Sequence, residues 1–352
     1  MKRNGYIDII KFIFAIIIVG FHVNANLFQG GRIAVEGFFM INGYLMLSSL
    51  DREKNKESSL AGSTVNFLWR KYKSLFYFLL PSVIIGFVVF SLYYEYSFTQ
   101  AIGRAPLLIF DIIPLYCVGL RGQHVVGISW YLSAMFIALA VLYPLARKFR
   151  KSFTTIACPL IVLLGYGTLA YFFKHLAVNE QYIEGTIINS GLVRGLAGCA
   201  LGCVMYELSK LISNKTPTVF TRVACTVMEV GAFCGFYYLM HEHSKSIYEY
   251  INIILIFIFM FIGINGLSYT SYLWNPKWTK PFGVISTLLV LNHVCWSYYL
   301  RKLIGQGFQH TKDVLWYILA VALSCVAVYL ASLLLRWITK SLSKIKLWKE
   351  QK

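Results

Sequence analysis

Charged side chains are scarce in this sequence. Asp, Glu, Lys and Arg make up 14% of the 352 residues, whereas soluble domains contain about 25%. Hydrophobic residues account for 58%, and the mean hydropathy is +0.62. The longest strongly polar stretch, 51–66, is too short to form a separate soluble module. This composition excludes an ordinary soluble protein and predicts an all-α polytopic membrane protein.

Acidic residues are scarcer than basic ones. The chain has 15 Asp and Glu against 33 Lys and Arg, which gives a net charge of +18. In a soluble protein this charge would favour nucleic-acid binding. Here the basic residues cluster in short segments between apolar runs, as cytoplasmic loops of membrane proteins do. We therefore predict no nucleic-acid partner.

Cysteine pairs with a recognisable function are also missing. No Cys-x-x-Cys occurs, and no group of Cys and His has zinc-site spacing. The simpler interpretation is that the cysteines are packing residues where helices touch. We predict no structural disulfide and no metal site. Nearly all of the eight cysteines lie in apolar runs, at Cys117, Cys158, Cys199, Cys203, Cys225, Cys234, Cys295 and Cys325.

Ten apolar runs are long enough to cross a hydrocarbon core of about 30 Å. A further run, 104–120, is shorter and contains Pro106 and Pro114. If it does not span, most basic residues lie on the side of the N-terminus, and if it spans, this bias is lost. We therefore predict about ten transmembrane helices, both termini cytoplasmic, and a non-spanning segment near 104–120. The ten runs fall near 5–25, 33–50, 68–94, 127–147, 153–174, 187–209, 220–240, 249–267, 281–302 and 313–338.

The whole chain is predicted to form one membrane domain, 1–340, followed by a basic cytoplasmic tail, 341–352. We expect no cleavable signal, because Lys11 interrupts the first apolar run and no A-x-A site follows it. No convincing internal repeat is visible, which counts against an inverted-repeat transporter.

The first apolar run carries a polar stripe. Lys11 and His22 are eleven residues apart, which is nearly three whole turns, so both project from one helix face about 16 Å apart along the axis. Asp8 shares that face. Ionisable groups inside a bilayer are costly and rare, so we interpret the stripe as functional.

Glu36 begins the second apolar run, at the membrane surface where the first run ends with His22. A carboxylate beside an imidazole fixes its tautomer and raises its basicity, as a general base requires. We therefore predict His22 and Glu36 as a catalytic pair. The alternative is a polar pair that caps two helices at the headgroup level.

Basic residues at the cytoplasmic side are candidates for binding phosphate. Lys11 is expected about 9 Å inside that face, and Arg70 and Lys73 open the third apolar run. Together they could hold a nucleotide-bearing donor. The alternatives are a lysine at 11 that snorkels or is neutralised by Asp8, and juxtamembrane residues that only set the topology.

Later runs contain a few buried polar residues. Arg194 is expected about 10 Å below the outer surface, where it needs a carboxylate or an anionic substrate, and Glu229 is a candidate partner. Asn292 and His293 lie together in the ninth run. They are candidates for a site, and the alternative is a hydrogen bond between helices.

Taken in order, these motifs resemble the acyltransferase type 3 family of bacterial inner-membrane O-acyltransferases. The family opens with Arg or Lys, ten residues and His, which here are Lys11 and His22 after Ile7-Asp8. A Gly-Val-Asp/Glu-x-Phe-Phe-x-x-Ser-Gly-Tyr element follows and is matched by residues 34–44. The resemblance covers about residues 5–300, and its remaining elements are Phe67 with Arg70 and Lys73, Trp130 with Tyr143-Pro144, Arg194-Gly195, and Asn292-His293.

Three positions depart from the family pattern. Lys11 replaces the commoner arginine and cannot fork onto two oxygens. Asn42 replaces the usual serine, and the glutamate that many members carry after the tryptophan has no counterpart after Trp130.

The resemblance implies that an acetyl or other short acyl group moves from cytosolic acyl-CoA to a hydroxyl of a cell-envelope glycan or lipid-linked sugar. The protein would lie in the bacterial cytoplasmic membrane among its lipids, with acetyl-CoA as co-substrate and no bound cofactor. The implied roles are catalysis by His22 and Glu36, donor binding by Lys11, Arg70 and Lys73, and acceptor binding or support by Trp130, Arg194, Asn292 and His293.

Two alternatives to an enzyme stay open. One is a small-molecule transporter or flippase, such as an amino-acid uptake component related to the membrane domains of serine racemases. The other is a catalytically silent binding component, which the missing glutamate after Trp130 favours.

Overall fold

The computed structural model describes residues 3–23, 28–53, 59–178, 181–213, 216–274, 276–305, 308 and 310–350. Within these ranges the regular elements are helices, apart from one isolated β-bridge between Tyr182 and Asn189. Ten long helices follow the ten apolar runs. They are α1 Gly5–Val23, α2 Ala34–Arg52, α3 Leu60–Tyr93, α4 Ser129–Lys148, α5 Cys158–Phe173, α6 Ser190–Ile212, α7 Val219–Glu242, α8 Tyr248–Ile264, α9 Pro276–Ile304 and α10 Thr311–Glu350.

The helices have the length and composition of membrane spans. In the described part of the chain, nine segments are long and apolar enough to cross a membrane. The remaining helix, α8, has 17 residues and is about 26 Å long. The predicted polytopic all-α fold is confirmed. Because ten successive spans alternate in direction, α1 begins on the side where α10 ends, and we call this the basic side after its Arg52, Arg70, Lys148 and Arg336.

The segment 104–120 does not span. The helix Phe98–Arg104 ends where the segment begins, and within the segment only helical turns of three or four residues follow. Asp111 anchors it to the start of α4, because its carboxylate accepts hydrogen bonds from the Gln123 backbone N–H at 2.7 Å and from Ser129 Oγ at 3.2 Å. Burial raises the pKa of the Asp111 carboxyl. The prediction of a non-spanning segment agrees with these short elements, which are Phe98–Arg104, Ala105–Leu108, Ile109–Ile112 and Tyr116–Val118.

The last helix, α10, lies at the periphery of the bundle. Many of its large apolar side chains point outward, including Leu323, Leu330 and Trp337. In water such a surface would be unfavourable, but against lipid it is the expected one. The helix continues without a break through residue 341, where the sequence indicated a tail, and ends at Glu350. Residues 351–352 lie outside the described ranges.

Close packing of α2 against α6 builds the centre of the bundle. A Cβ atom on Gly43 would lie 1.8 Å from the carbonyl oxygen of Cys199, and one on Gly202 would lie 1.9 Å from that of Met40. The two backbones therefore touch, as small residues allow in membrane helices. This contact brings Glu36 of α2 opposite Arg194 of α6. On the other side of α2, α1 packs along α9.

Candidate active site

Two of the cavities in the described part of the bundle lie one toward each side of the membrane. The histidine cavity, of about 330 Å³, lies toward the side opposite the basic side, and the basic cavity, of about 650 Å³, opens near the basic side. Residues lining the histidine cavity include His22, Arg32, Trp130, Lys245, His293 and Tyr298. Residues lining the basic cavity include Arg3, Lys11, Asn42, Lys71, Ser286 and Arg336.

A thin wall separates the two cavities. Phe38, Ile128, Tyr131 and Val290 line both of them, so the cavities are one layer of side chains apart. The Tyr131 hydroxyl accepts a hydrogen bond from Asn42 Nδ2 at 2.9 Å. A molecule in one cavity and a molecule in the other would therefore approach each other at this wall.

Two histidines from different helices meet in the histidine cavity. The rings of His22 on α1 and His293 on α9 have their centroids 4.9 Å apart and are inclined by 64°. His293 is fully buried. The sequence predicted each of these residues separately, and the packing of α1 along α9 brings them together. An imidazole pair of this kind can accept a proton and pass it on.

Glu36 does not contact His22 in the described structure. Its Oε1 receives a hydrogen bond from Arg194 Nε at 2.7 Å and lies 2.7 Å from Arg194 Nη2 as an ion pair, and its Oε2 receives a hydrogen bond from the Tyr166 hydroxyl at 2.6 Å. Both charged side chains are 0% exposed. The predicted pairing of Glu36 with His22 is therefore corrected to a pairing with Arg194.

Arg194 supports the histidine cavity from behind. Its guanidinium lies over the ring of Trp130, 5.1 Å from the centroid, and Trp130 lines the cavity. Arg194 itself is not among the residues that line either cavity. It therefore acts on the cavity through Trp130, whose ring it holds by a cation–π contact.

Lys11 lines the basic cavity, as its predicted donor-binding role requires. Asp8 does not form an ion pair with it, because both carboxylate oxygens of Asp8 are held by Arg3, from Nε at 2.6 Å and from Nη2 at 2.9 Å. Among the described residues no carboxylate lies within ion-pair distance of Lys11. The ammonium group thus adds positive charge to the cavity.

The structure separates the basic residues at the start of α3. Arg70 pairs with Glu53 and lines a third cavity of about 470 Å³ at the basic side. Lys73 is exposed and is not among the residues lining the described cavities. Lys71 instead reaches the basic cavity, where its Nζ donates to Asn42 Oδ1 at 2.6 Å.

The sequence motif therefore did not identify Lys71, because it pointed to Arg70 and Lys73. A usable signal existed in the sequence, because Lys71 lies three residues after Leu68 and four before Leu75. These positions share one helix face, and this apolar face is the one that packs inward.

Arg32 is a second residue that the sequence did not single out. It lines the histidine cavity and forms a buried ion pair with Glu249, the second residue of α8. Glu249 Oε2 also accepts a hydrogen bond from the backbone N–H of Leu176 at 2.6 Å. Through these contacts the pair connects the loop after α5 to the turn before α2 and to the first turn of α8, and so fixes the mouth of the histidine cavity.

Two other predicted residues lie away from the cavities. Asn292 is buried and donates from Nδ2 to the carbonyl of Leu288 at 2.8 Å in its own helix, and it is not among the residues lining the two cavities. Glu229 accepts a hydrogen bond from Thr270 Oγ1 at 2.6 Å. The predicted pairing of Glu229 with Arg194 is therefore wrong.

The described residues contain no group of three or more His, Cys, Asp or Glu side chains that could hold a metal ion. Polar chemistry in the cavities is carried by imidazole, ammonium, guanidinium, hydroxyl and amide groups, and by the carboxylates of Asp8 and Glu53, which are held by arginines. These groups suit proton transfer and the binding of anionic or carbonyl oxygens.

The fold and the paired cavities describe a multi-pass membrane protein with a site that two substrates can approach from opposite sides. Comparison with known families gives the class of reaction. The family model described as an acyltransferase domain, that of acyltransferase type 3, matches residues 4–336. Because the match covers nearly the whole chain, the protein belongs to this family and is a membrane acyltransferase. Searches of curated proteins and of solved structures found no match.

Proposed function

We propose that the protein transfers an acetyl or other short acyl group from cytosolic acyl-CoA to a hydroxyl of a cell-envelope glycan or lipid-linked sugar. The observation that carries the proposal is the pair of cavities that share the wall of Phe38, Ile128, Tyr131 and Val290. A donor from one side and an acceptor from the other can react there without either crossing the membrane. We assign the protein to the bacterial cytoplasmic membrane, with the basic side toward the cytosol, where positive loops favour it.

The basic cavity suits the donor. Lys11 of α1, Lys71 of α3 and Arg336 of α10 all line it. Phosphates of CoA would bind toward the basic side, where Arg70 lines the adjoining third cavity, and the thioester arm would extend inward past the two lysines. Lys71 lines both of these cavities. This continuity supports Lys71, rather than the exposed Lys73, as the partner of Arg70 in donor binding.

The histidine cavity suits the acceptor. Aromatic side chains of Trp130 and Tyr298 line it beside the imidazoles. In the proposed reaction the acceptor O–H bond breaks, a new C–O bond forms at the thioester carbonyl, and the C–S bond breaks. The proton passes through the imidazole pair that includes His22 and reaches the departing thiolate. The products are the O-acyl ester and free CoA.

Arg194 and Glu36 act as positioning residues in this scheme. The buried ion pair holds the Arg194 guanidinium over Trp130, so it shapes the acceptor cavity without touching the reacting atoms. Asn42, which stands where the family usually has serine, connects Lys71 to Tyr131 of the shared wall.

The test is free CoA release from acetyl-CoA by purified protein in lipid vesicles, with polymeric and lipid-linked glycans of the source cells as acceptors. Wild-type release should require an acceptor, and His22→Ala should abolish it while the protein stays folded. The matched control is His310→Gln, because His310 is an exposed histidine outside the described cavities.

Two results would contradict the proposal. A fully active His22→Ala protein would remove the imidazole from the reaction. Amino-acid or lipid flux across the vesicle membrane without CoA release would indicate a transporter instead.

A further inference from the structure

The two histidines in the cavity are held differently, and the difference assigns them different tasks. Within the acyl transfer proposed above, on which this inference rests, the geometry points to Nε2 of His293 as the atom that receives the hydroxyl proton of the acceptor. His22 then passes that proton on to the departing thiolate. His293 is thus a second catalytic residue and the first proton acceptor.

Hydrogen bonds fix the tautomer of His293. Its Nδ1 lies 3.0 Å from the carbonyl oxygen of Leu289 and 3.0 Å from that of Val290, one turn earlier in α9. Carbonyl oxygens only accept hydrogen bonds, so Nδ1 must carry the hydrogen. In a neutral imidazole the other nitrogen, Nε2, then has a free lone pair.

That lone pair is buried without a hydrogen-bond partner in the described part of the chain. A buried acceptor without a partner is destabilising and is rare in folded proteins. The side chain of His293 lines the histidine cavity, and because Nε2 is covered by its neighbours, the proposal requires that they shift when an acceptor binds, so that its hydroxyl group supplies the missing hydrogen bond. The same hydrogen bond is the path along which the proton leaves the acceptor.

The surroundings of His293 are suited to holding the proton it accepts. Protonation of Nε2 leaves the Nδ1–H donating to the same two carbonyls, now from a cation, which strengthens the bond. The backbone of α9 is itself fixed here, because the Tyr317 hydroxyl donates to the carbonyl of His293 at 3.1 Å. These contacts orient the ring as a carboxylate does in a catalytic triad.

His22 lies next in line. Its ring packs against that of His293 at 4.9 Å between centroids, and Arg301 Nη2 donates to its backbone carbonyl at 2.7 Å, which fixes the last turn of α1. In the step, the acceptor oxygen bonds to the acyl carbon and its proton moves to His293 Nε2. The C–S bond breaks, and the proton moves through His22 to the thiolate, so both imidazoles are neutral at the start and at the end.

The experiment compares two acceptors in wild-type, His293→Gln and His310→Gln protein. The first acceptor is purified cell-envelope polysaccharide, whose hydroxyls need a base. The second is hydroxylamine, which attacks through its nitrogen lone pair and needs no base to begin; its protein-free reaction with acetyl-CoA is subtracted. For His293→Gln we expect kcat with the polysaccharide to fall about 10²–10⁴-fold. The fold-loss of kcat with hydroxylamine should be smaller than the fold-loss with the polysaccharide by a factor of about 10 or more. His310→Gln should match wild type with both acceptors.

The outcomes are distinct. A His293→Gln protein as active as the His310→Gln control overturns the assignment. An equal loss with both acceptors also overturns it, because it indicates a structural role. Wild-type protein that transfers to neither acceptor contradicts the proposed function itself, and this inference with it.

A measurement independent of activity covers the case in which the substituted protein folds poorly. ¹⁵N-histidine NMR of the wild-type protein in detergent, with the signal assigned by its loss in His293→Gln, should show His293 protonated at Nδ1 and unprotonated at Nε2. A hydrogen on Nε2 in the neutral form would overturn the assignment, because that nitrogen could then not accept the proton.

Discussion

The buried pair of Glu36 and Arg194 offers the sharpest test of the corrected site. Both side chains are 0% exposed, and two nitrogens of Arg194 lie 2.7 Å from one carboxylate oxygen, to which Nε donates a hydrogen bond. Removing one partner of a buried ion pair leaves an uncompensated charge and costs about 3–5 kcal/mol. We expect Arg194→Met to lower the free energy of unfolding by this amount. Tyr166→Phe, which removes one hydrogen bond to the carboxylate, should lower it by about 1.5–3 kcal/mol.

The assay is unfolding by SDS in mixed micelles, followed by tryptophan fluorescence, for Glu36→Gln, Arg194→Met and the double variant. The double variant should lose about 2–3 kcal/mol less than the two single losses added together, since the charges are removed together. Glu95→Gln is the matched control, because Glu95 forms an exposed pair with Lys302 and surface pairs contribute little.

One result would refute this reasoning. If Glu36→Gln unfolds like wild type and yet loses acyl transfer, then Glu36 acts on the chemistry directly, as a partner of His22, and the ion pair is not what holds this region.

Three further predictions follow from the cavities and the packing. Lys71→Ala should raise the KM for acetyl-CoA about 10-fold or more, as loss of a charged hydrogen bond does, while Lys73→Ala should leave it unchanged; equal effects in CoA-release kinetics would contradict the assigned donor cavity. Gly202→Ala should reduce the yield of folded protein in size-exclusion chromatography, because its Cβ would lie 1.9 Å from the carbonyl oxygen of Met40; a normal yield would mean that α2 and α6 are farther apart. Tyr131→Phe should reduce transfer with little change in stability, measured as kcat and SDS midpoint, and an unchanged kcat would remove its hydroxyl from the site.

The membrane fold could be predicted from the sequence because it depends on local properties. An apolar run of sufficient length crosses a bilayer whatever its neighbours are, so the ten runs became the ten helices α1 to α10. The charge bias of the loops was enough to exclude 104–120 as a span. The polar stripe was also recognisable, since α1 contains both Lys11 and His22, and each lines a cavity.

The partners of these residues could not be predicted, because they come from other helices. Glu36 and Arg194 are 158 residues apart, and nothing in the sequence determines that α2 packs on α6 at that depth. For the same reason Lys71 and Lys73 could not be told apart by charge. They lie about 200° apart around α3. The apolar face with Leu68 and Leu75 indicates that Lys71 points inward, and the packing of the neighbouring helices decides that the basic cavity lies there.

Composition and spacing by themselves thus predicted that this protein crosses the membrane many times and carries a stripe of polar groups in its first helix, and its motifs, taken in order, resemble those of membrane acyltransferases. The tertiary structure decided that Lys11 and His22, on one face of one helix, line two different cavities. The physical reason is that the wall between the cavities contains Phe38, Tyr131 and Val290, each of which lines both cavities and comes from a different helix. Side chains from different helices meet only when the bundle packs.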